Sequence, residues 1–183
     1  MAETEKFDVV VVGAGPSGLS AGYFLVKKGF NVVVLERGIE VGSKNVFGGR
    51  IYAHVFDKNF QGWRNEAPVE RWVKKEKMTL LCNGNSVNFE FEREKERGSF
   101  TAFLNPFLRW MSSLVESEGG IVATGVKVDS INFEDGYAKG VKAGPDTLEA
   151  DYVVIAEGAN TLLSEKHGIK RAPGLSETSL GLG

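Results

Sequence analysis

The stretch FDVVVVGAGPSGLSAGYFLVKKGFNVVVLER, residues 7–37, decides the fold of this 183-residue chain. It opens with a run of valines that ends at Gly13, a pattern typical of a strand buried on both faces of a parallel sheet. Pro16 suits the first position of a helix, and apolar residues recur at helical spacing until Gly29. A second apolar run, residues 31–35, follows. The stretch therefore predicts a right-handed β-α-β unit.

The turn between the first strand and the helix carries glycines at the spacing G-x-G-x-x-G, as Gly13, Gly15 and Gly18. At a strand–helix junction, this pattern is a fingerprint of dinucleotide binding. Gly13 would permit the tight turn, Gly15 would let the backbone approach a pyrophosphate, and Gly18 would let the helix lie close to the strand. Free N–H groups and the positive end of the helix dipole would then face the phosphates.

An acidic residue ends the second predicted strand. Glu36 lies eighteen residues after Gly18, where a carboxylate can accept hydrogen bonds from both ribose hydroxyls of an adenosine and repel a 2′-phosphate. Arg37 has three interpretations: it stacks over adenine, it pairs with a 2′-phosphate, or it is simply exposed. We favour the adenine contact. These residues alone leave FAD and NAD open as the dinucleotide.

The stretch GSKNVFGGRIYAH, residues 42–54, matches neither a helical nor a strand period. Gly48 and Gly49 lack the Cβ that holds a backbone away from a ligand, so this loop could pass close to a flat ring or a phosphate. Lys44 and Arg50 could offset the charge of a phosphate or of a reduced flavin, or could be ordinary exposed cations.

The remainder of the chain is predicted to form hairpins and one further helix. The hairpins pair residues 73–81 with 87–91 and residues 126–133 with 137–142, and the helix begins at Asn105 and stops before Gly119. Short strands are predicted at residues 121–123 and 152–156. The predicted class is α/β: a Rossmann-like fold with a parallel sheet, a β-meander crossover and an inserted β-hairpin layer. We expect a nucleotide domain at residues 1–50 and 98–183, interrupted by the hairpin layer at residues 51–97.

Composition excludes several classes of function. A net charge of −2 provides no basic surface for nucleic acid. Cys82 is the only cysteine, so the chain cannot form an internal disulfide or supply a cysteine-ligated cluster, and we expect no metal site and a reducing compartment. His54 and His167 lie far apart without a pattern of carboxylates, which disfavours a catalytic triad or a zinc protease. No signal peptide or transmembrane run is present, so we expect a cytoplasmic protein.

The residues quoted above, together with APVER and VVIAEGAN further along the chain, resemble the N-terminal half of the FixC-type electron transfer flavoprotein-quinone oxidoreductases. That group is part of a larger FAD-dependent family that includes geranylgeranyl reductases and aromatic hydroxylases. The resemblance implies a Rossmann-like FAD-binding fold with FAD as the cofactor. It places the glycine turn with Pro16 and Ser17 at the pyrophosphate and Glu36 at the adenosine ribose. It implies a flavin side lined by Lys44, Asn45, Gly48, Gly49 and Arg50, and an adenosine flanked by Val128, Glu157 and Gly158.

Two departures from the family pattern limit these expectations. Relatives usually read Arg-x-Arg-Phe-Asp-Arg-Trp-Leu where this chain has LNPFLRWM, residues 104–111. A flavin contact by an arginine at position 104 is therefore lost, whereas Arg109 is retained as a candidate. Relatives also return to a Gly-Asp segment that closes over the ribityl chain, and no Gly-Asp pair occurs here. We therefore expect a fragment without the C-terminal substrate domain, inactive alone and weaker in FAD binding than a full-length relative.

Three functions follow from these expectations. The first is an oxidoreductase that takes electrons from an electron transfer flavoprotein and passes them to a quinone, with a ferredoxin-like protein as an intermediate partner. It would touch the inner membrane face peripherally through the missing domain. The second is a reductase of isoprenoid lipid double bonds, and the third is a non-catalytic module that binds FAD or another nucleotide. No general acid or base is assigned, and His54 is the one candidate for proton management.

Overall fold

The structure is a computed structural model that describes residues 5–43, 47–92, 98–159, 161–171 and 173–177. The chain divides into two compact units, one within Met1–Val46 and Leu108–Gly183 and the other Phe47–Phe107. The strands are β1 Glu5–Val12, β2 Val32–Glu36, β3 Gly48–Tyr52, β4 Arg71–Trp72, β5 Lys75–Cys82, β6 Asn85–Glu92, β7 Ser99–Phe103, β8 Ile121–Thr124, β9 Ser130–Glu134, β10 Tyr137–Ala143 and β11 Asp146–Ile155. The helices are α1 Pro16–Val26, α2 Ala53–Asn59, α3 Trp63–Glu66, α4 Leu104–Ser117 and α5 Leu162–Lys166, with a short 3₁₀ helix at Leu175–Glu177.

The first unit is built on a six-stranded sheet with the order β8-β2-β1-β11-β10-β9. Strands β8, β2, β1 and β11 run parallel, and β10 and β9 continue the sheet in antiparallel pairing. In the centre, Val9 pairs with Val32 on one side and with Tyr152 on the other. This mixed α/β arrangement around a parallel sheet confirms the predicted fold class.

The central strands are buried on both faces, which explains their unbroken runs of valine. Val10 and Val33 belong to a cluster on one face that also contains Val141. On α1, Gly22 comes so close to the sheet that an added Cβ would lie 2.9 Å from Val34 Cγ2. The absence of a side chain at this position therefore allows helix and sheet to pack tightly.

The second unit has a three-stranded sheet, order β3-β7-β4, and a separate hairpin of β5 and β6. Its core is a cluster of aromatic rings whose centroids lie 5.1 to 6.2 Å apart, formed by Phe56, Phe60, Trp63, Trp72, Phe100 and Phe107. Asp57 supports this cluster, since its carboxylate accepts hydrogen bonds from Trp63 Nε1 at 3.0 Å and Arg64 Nε at 2.7 Å.

Three segments differ from the sequence prediction. Residues 42–54 were expected to be irregular, but Gly48–Tyr52 within them is strand β3, because it pairs with β7 (Ser99–Phe103), and α2 begins at Ala53. The strand predicted for residues 73–81 is observed as β5, which begins two residues later at Lys75, and Arg71–Trp72 forms the separate short strand β4. Residues 126–129 are not strand: Val126 N–H donates to Glu36 O, and the Asp129 side chain accepts from Gly144 N–H. Because residues 126–129 make these other bonds, strand β9 begins only at Ser130.

Candidate functional site

The first unit contains a cleft of about 540 Å³. It lies where the carboxyl ends of parallel strands β1, β2 and β11 meet, the edge at which ligands bind in open α/β sheets. Its lining consists of the glycine turn, the end of β2, the segment before β9 and the segment from β11 to α5. The residues are Val12, Gly13, Ala14, Gly15, Pro16, Leu35, Glu36, Arg37, Glu40, Gly42, Ser43, Val126, Lys127, Val128, Asp129, Ala156, Glu157, Gly158, Ala159, Leu162, Leu163 and Lys166.

The three glycines of the turn have different surroundings. Gly13 has a φ of +107°, and an added Cβ would lie 2.5 Å from Ala156 O. At Gly18 an added Cβ would lie 1.8 Å from Gly13 O. At Gly15, which lines the cleft, it would meet nothing within 4 Å. Gly13 and Gly18 are therefore required by the fold itself, whereas the space at Gly15 is open toward the cleft.

The first turn of α1 offers backbone donors beside this open space. Gly15 is the N-cap and has no side chain to bond the first N–H groups, and Pro16 follows at the first helical position. The early N–H groups of a helix have no partner within the helix, so those of Ser17 and Gly18 are suited to an anion. Ser17 itself is exposed, and Gly18 is buried.

Glu36 lines the cleft from the end of β2. Its Oε2 accepts a hydrogen bond from Ala14 N–H at 3.0 Å, and its Oε1 accepts one from Gly38 N–H at 2.7 Å. The carboxylate thus joins the glycine turn to the segment that follows β2. A carboxylate has about four acceptor positions, so these two bonds leave capacity for hydroxyl donors of a ligand.

A second wall of the cleft is formed by residues 126–129. Gly125 N–H donates to Gly38 O at 2.7 Å and Val126 N–H donates to Glu36 O at 2.9 Å. These bonds attach the wall directly to the segment that carries the carboxylate. Val128 lines the cleft as predicted for a residue beside adenosine. The assignment of adenosine to this wall stays a prediction.

Glu157 lines the cleft, yet both of its oxygens are used by α5. Oε2 accepts from Leu163 N–H at 2.9 Å, and Oε1 accepts from Ser164 N–H at 2.8 Å and Ser164 Oγ at 2.6 Å. The carboxylate therefore caps the first turn of α5 in place of the N-cap Thr161, whose side chain does not bond the helix N–H groups. Burial alone raises the pKa of Glu157, but the bonds from Ser164 and Leu163 outweigh it and leave the pKa below its ordinary value.

Several cations surround the same cleft. Arg37, Lys127 and Lys166 all line it and are exposed. Lys166 Nζ donates to Asp129 O at 2.8 Å, and Lys127 Nζ lies 3.0 Å from the Asp129 carboxylate. A backbone hydrogen bond from Gly144 and the neighbouring Lys127 hold the pKa of Asp129 below its ordinary value. The positive charge of these side chains suits an anionic ligand, although the Asp129 carboxylate partly neutralises Lys127.

The residues expected on the flavin side are not all described. Lys44 and Asn45 lie outside the described residues, and Gly48, Gly49 and Arg50 belong to the second unit. The Arg50 guanidinium pairs with Glu76 and with the hydroxyl of Tyr52, and it lies 4.6 Å from the Tyr52 ring centroid. Its charge is thus already balanced within the unit.

Two further residues that the sequence singled out, Arg109 and His54, are exposed side chains. Arg109, in the first unit, is exposed, and its guanidinium lies 3.8 Å from Glu40, which lines the cleft. His54, in the second unit, is exposed and packs its ring against Tyr52 with centroids 6.2 Å apart. The roles predicted for these two side chains stay predictions.

Sequence reasoning missed α5 as part of the cleft wall. Leu162, Leu163 and Lys166 line the cleft, and His167 anchors the end of α5 because its Nε2 accepts a hydrogen bond from Ile131 N–H at 3.0 Å. A signal was available, since the run TLLSEK, residues 161–166, comes shortly after a parallel strand whose end had to lie at the ligand edge. Its shortness hid it, because five residues give little helical periodicity.

No helix within the described residues is both long and apolar enough to cross a membrane.

A family model described as the Thi4 family matches residues 1–68. The chain is 34% identical over 180 residues to protein FixC of Salmonella typhi, an alignment that covers 96% of this chain and 42% of FixC. It is 38% identical over 169 residues to the probable electron transfer flavoprotein-quinone oxidoreductase YdiS of Escherichia coli strain K12, covering 90% of this chain and 39% of YdiS. The resemblance predicted from the sequence is thereby confirmed, and the chain spans about two-fifths of these relatives' length.

Among solved structures, the chain is similar to a geranylgeranyl bacteriochlorophyll reductase-like protein from Thermoplasma acidophilum. The TM-score is 0.80 at 20% sequence identity, with 93% of this chain and 44% of that chain covered. At this identity, the likeness concerns the fold alone.

Proposed function

We propose, from the similarity to FixC and YdiS, that the first unit binds the adenosine diphosphate part of FAD and that the protein is a FAD-dependent oxidoreductase. The observation that carries this proposal is the open space at Gly15, beside backbone donors and within reach of a carboxylate at the end of the next strand. A cleft of about 540 Å³ also falls within the range of ordinary ligand sites.

The residues fit the group as follows. The N–H groups at the start of α1 receive the diphosphate, and the missing Cβ of Gly15 lets the phosphate oxygens approach the backbone. Glu36 accepts hydrogen bonds from the ribose hydroxyls, and the wall at Val128 packs against the adenine. FAD, when bound, supplies the chemistry of electron transfer. The chain's own contribution is placement and charge.

For the whole protein, we propose electron transfer from an electron transfer flavoprotein to a quinone. The support is the 38% identity to the probable electron transfer flavoprotein-quinone oxidoreductase YdiS, and a ferredoxin-like intermediate is part of this proposal. The alternative is reduction of isoprenoid lipid double bonds, which is compatible with the fold that the chain shares with the geranylgeranyl reductase-like protein. A non-catalytic FAD module is the third outcome.

FAD titration of the purified chain, followed by the flavin absorption spectrum and by fluorescence quenching, tests cofactor binding. We expect saturable binding that Glu36→Gln weakens by about tenfold, or ~1.4 kcal/mol. Glu134→Gln is the control, because Glu134 is exposed and lies outside the cleft lining. Equal FAD affinity of the parent chain, Glu36→Gln and Glu134→Gln would contradict the site. So would stabilisation of the folded chain by NADH and not by FAD.

The electron donor is tested separately. A chain reconstituted with FAD, or extended to the length of its relatives, is mixed anaerobically with reduced electron transfer flavoprotein. Bleaching of its flavin band supports the first function. If the flavoprotein does not reduce the flavin, the flavin is reduced with dithionite instead, and its reoxidation by an isoprenoid lipid, with reduction of a lipid double bond, supports the alternative.

A further inference from the structure

Helix α5 is attached to the second wall of the cleft by two side chains at its carboxyl end. Lys166 Nζ donates to Asp129 O at 2.8 Å, and His167 Nε2 accepts a hydrogen bond from Ile131 N–H at 3.0 Å. We refer to these two contacts as the α5 clasp. Lys166 and Asp129 both line the cleft, so the clasp joins two parts of its lining within the first unit.

The ending of α5 directs His167 toward β9. The backbone turns at Gly168, whose φ is +66°, and Ile169 N–H donates to Ser164 O at 2.8 Å. These features form a Schellman ending, the usual way in which a glycine closes a helix. The ending leaves His167 as the C-cap residue, with a half-buried side chain. The imidazole is therefore held in place by the helix itself.

The N–H group of Ile131 depends on this acceptor because β9 is an edge strand. In the part of the chain that the structure describes, the sheet order ends at β9, which pairs with β10. Ile131 is only 6% exposed, and a buried N–H group without an acceptor lowers the stability of a protein. His167 thus supplies the acceptor that a further strand would otherwise provide.

The hydrogen bond from Ile131 requires a neutral imidazole. Nε2 can accept only when it carries no hydrogen, so the hydrogen of the neutral ring lies on Nδ1. A second proton turns both nitrogens into donors, and Nε2–H then faces Ile131 N–H. Histidine is the side chain that undergoes this change between about pH 5 and 8. The bond is therefore present above this range and is lost as the pH falls through it.

The charged groups near His167 do not replace the lost bond. The charged side chains on the packed elements are Glu165 and Lys166 of α5, Lys170 after α5, Asp129 before β9 and Glu134 at the end of β9. Glu165 and Asp129 already accept hydrogen bonds, from Thr161 Oγ1 and Gly144 N–H. Within the described part of the chain, the structure pairs none of these carboxylates with the imidazole.

The aromatic neighbour of His167 has the opposite effect on protonation. The Phe133 ring centroid lies 5.4 Å from that of the imidazole, and an aromatic ring attracts a cation. Phe133 is 48% exposed, and at an exposed ring this attraction is weaker than the cost of leaving a buried N–H group without an acceptor. Protonation of His167 should therefore open the α5 clasp.

We propose that His167 is a positioning residue for the cofactor cleft, and that its protonation releases α5 from the second wall and weakens FAD binding. The second wall carries Val128, and α5 supplies Leu162 and Leu163 to the lining. Release lets these two sides move apart, so the arrangement that fits the ligand becomes less populated. The effect on FAD rests on the proposed function, whereas the clasp itself can be measured without a ligand.

FAD titration at about pH 7.5 and about pH 5.5 tests the effect on the cofactor. Histidines titrate in this interval and ordinary carboxylates stay ionised. We expect the Kd of the parent chain to rise about tenfold at the lower pH. His167→Gln keeps an acceptor that gains no proton, so its Kd should match that of the parent at pH 7.5 and should not change with pH.

The only other histidine provides the matched control. The chain has two histidines, and His54 is exposed and lies in the second unit. His54→Gln should therefore keep the tenfold change of the parent chain. A Kd that is equal at both pH values in the parent, or that changes equally in His167→Gln, would overturn the proposal.

Amide hydrogen exchange without FAD tests the clasp directly and needs no variant. We expect the protection factor of the Ile131 amide to fall between about pH 7.5 and about pH 5.5, while that of Val10 in the central strand β1 stays constant. Unchanged protection of Ile131 would overturn the proposal even if FAD binds. A fall in its protection together with no FAD binding at either pH would support the clasp and contradict the proposed function.

Discussion

Gly15 and Gly18 stand three positions apart in the glycine turn, but a methyl group at each would meet different surroundings. At Gly15 it would project into open space, and at Gly18 it would lie 1.8 Å from a backbone oxygen. We therefore predict that Gly15→Val keeps the fold and loses FAD, whereas Gly18→Ala loses stability. The affinity loss should be at least about a hundredfold, or ~2.8 kcal/mol. Overpacking at Gly18 should cost about 1–3 kcal/mol or more.

Urea unfolding and FAD titration of both variants separate these effects. A Gly15→Val protein with the unfolding midpoint of the parent chain and no flavin binding is the expected result. If Gly15→Val bound FAD normally, the diphosphate would have to lie elsewhere.

How far the sequence predicts a residue's role depends on where the partner of that residue lies. The sequence predicts the glycine turn because the contacts of the turn are local and the spacing of its glycines is fixed by the geometry of a strand–helix junction. Glu36 was identified by its position, but its bonds to Ala14 N–H and Gly38 N–H follow from the fold of the turn. Glu157 was expected beside adenosine, and the structure shows that its carboxylate also caps α5, a contact with no signature in residue type.

At the scale of elements, α5 depends on that cap. It has only five residues, and an isolated helix of that length is unstable in water. We predict that Glu157→Gln destabilises the protein by about 1 kcal/mol at pH 7, as loss of a helix cap does. Chemical denaturation of the two proteins measures the difference, and an unchanged midpoint would mean that α5 is held by other contacts.

The cap that Glu157 forms on α5 also predicts how the stability of the protein changes with pH. The pKa of Glu157 is lowered in the folded protein from its ordinary value of 4.5, so its stabilising effect is complete above pH 4.5 and is lost as the pH falls through the folded-state value. The difference in unfolding free energy between the parent chain and Glu157→Gln should therefore shrink below pH 4.5. A difference that stays constant down to pH 3 would contradict this role.

In the second unit, Asp57 connects α2 to the aromatic cluster through Trp63 and Arg64. The hydrogen bond from Arg64 holds the pKa of Asp57 below its ordinary value. Asp57→Asn should destabilise this unit by about 1–2 kcal/mol, because a charge-assisted pair becomes a neutral contact. Asp151→Asn is the control, since Asp151 forms an exposed pair with Lys6 at 3.8 Å and such pairs contribute little. Tryptophan fluorescence during denaturation distinguishes the two.

Elements with local periodicity were predicted well, and elements made by distant pairing were not. The β1-α1-β2 unit and α4 follow their hydrophobic patterns closely. Strand β3 was missed because its glycines have low strand propensity and its strand state comes from pairing with β7. Strand β4 was missed for the same reason, since its two residues are too few to show alternation and their strand state comes from pairing with β7.

At the scale of the whole molecule, cofactor binding should raise the free energy of unfolding. A ligand that binds only the folded state at one hundred times its Kd adds about 2.7 kcal/mol, which corresponds to roughly 5–10 °C in Tm for a chain of this size. FAD should therefore raise the Tm in calorimetry. NADH at the same concentration should not, and the Gly15→Val variant should respond to neither. A larger shift with NADH would reverse the assignment of the cofactor.

The position of β1 in its sheet has a consequence during synthesis on the ribosome. Val9 pairs with Val32 within one short crossover, but its other neighbour, Tyr152, is translated 143 residues later. Until then, one edge of a strand whose second half, Val9–Val12, is all valine stays open, and such late closure slows folding and favours association with other nascent chains. The nascent chain should therefore need a holding chaperone for most of its translation, and FAD can assist only after β11 has emerged from the exit tunnel.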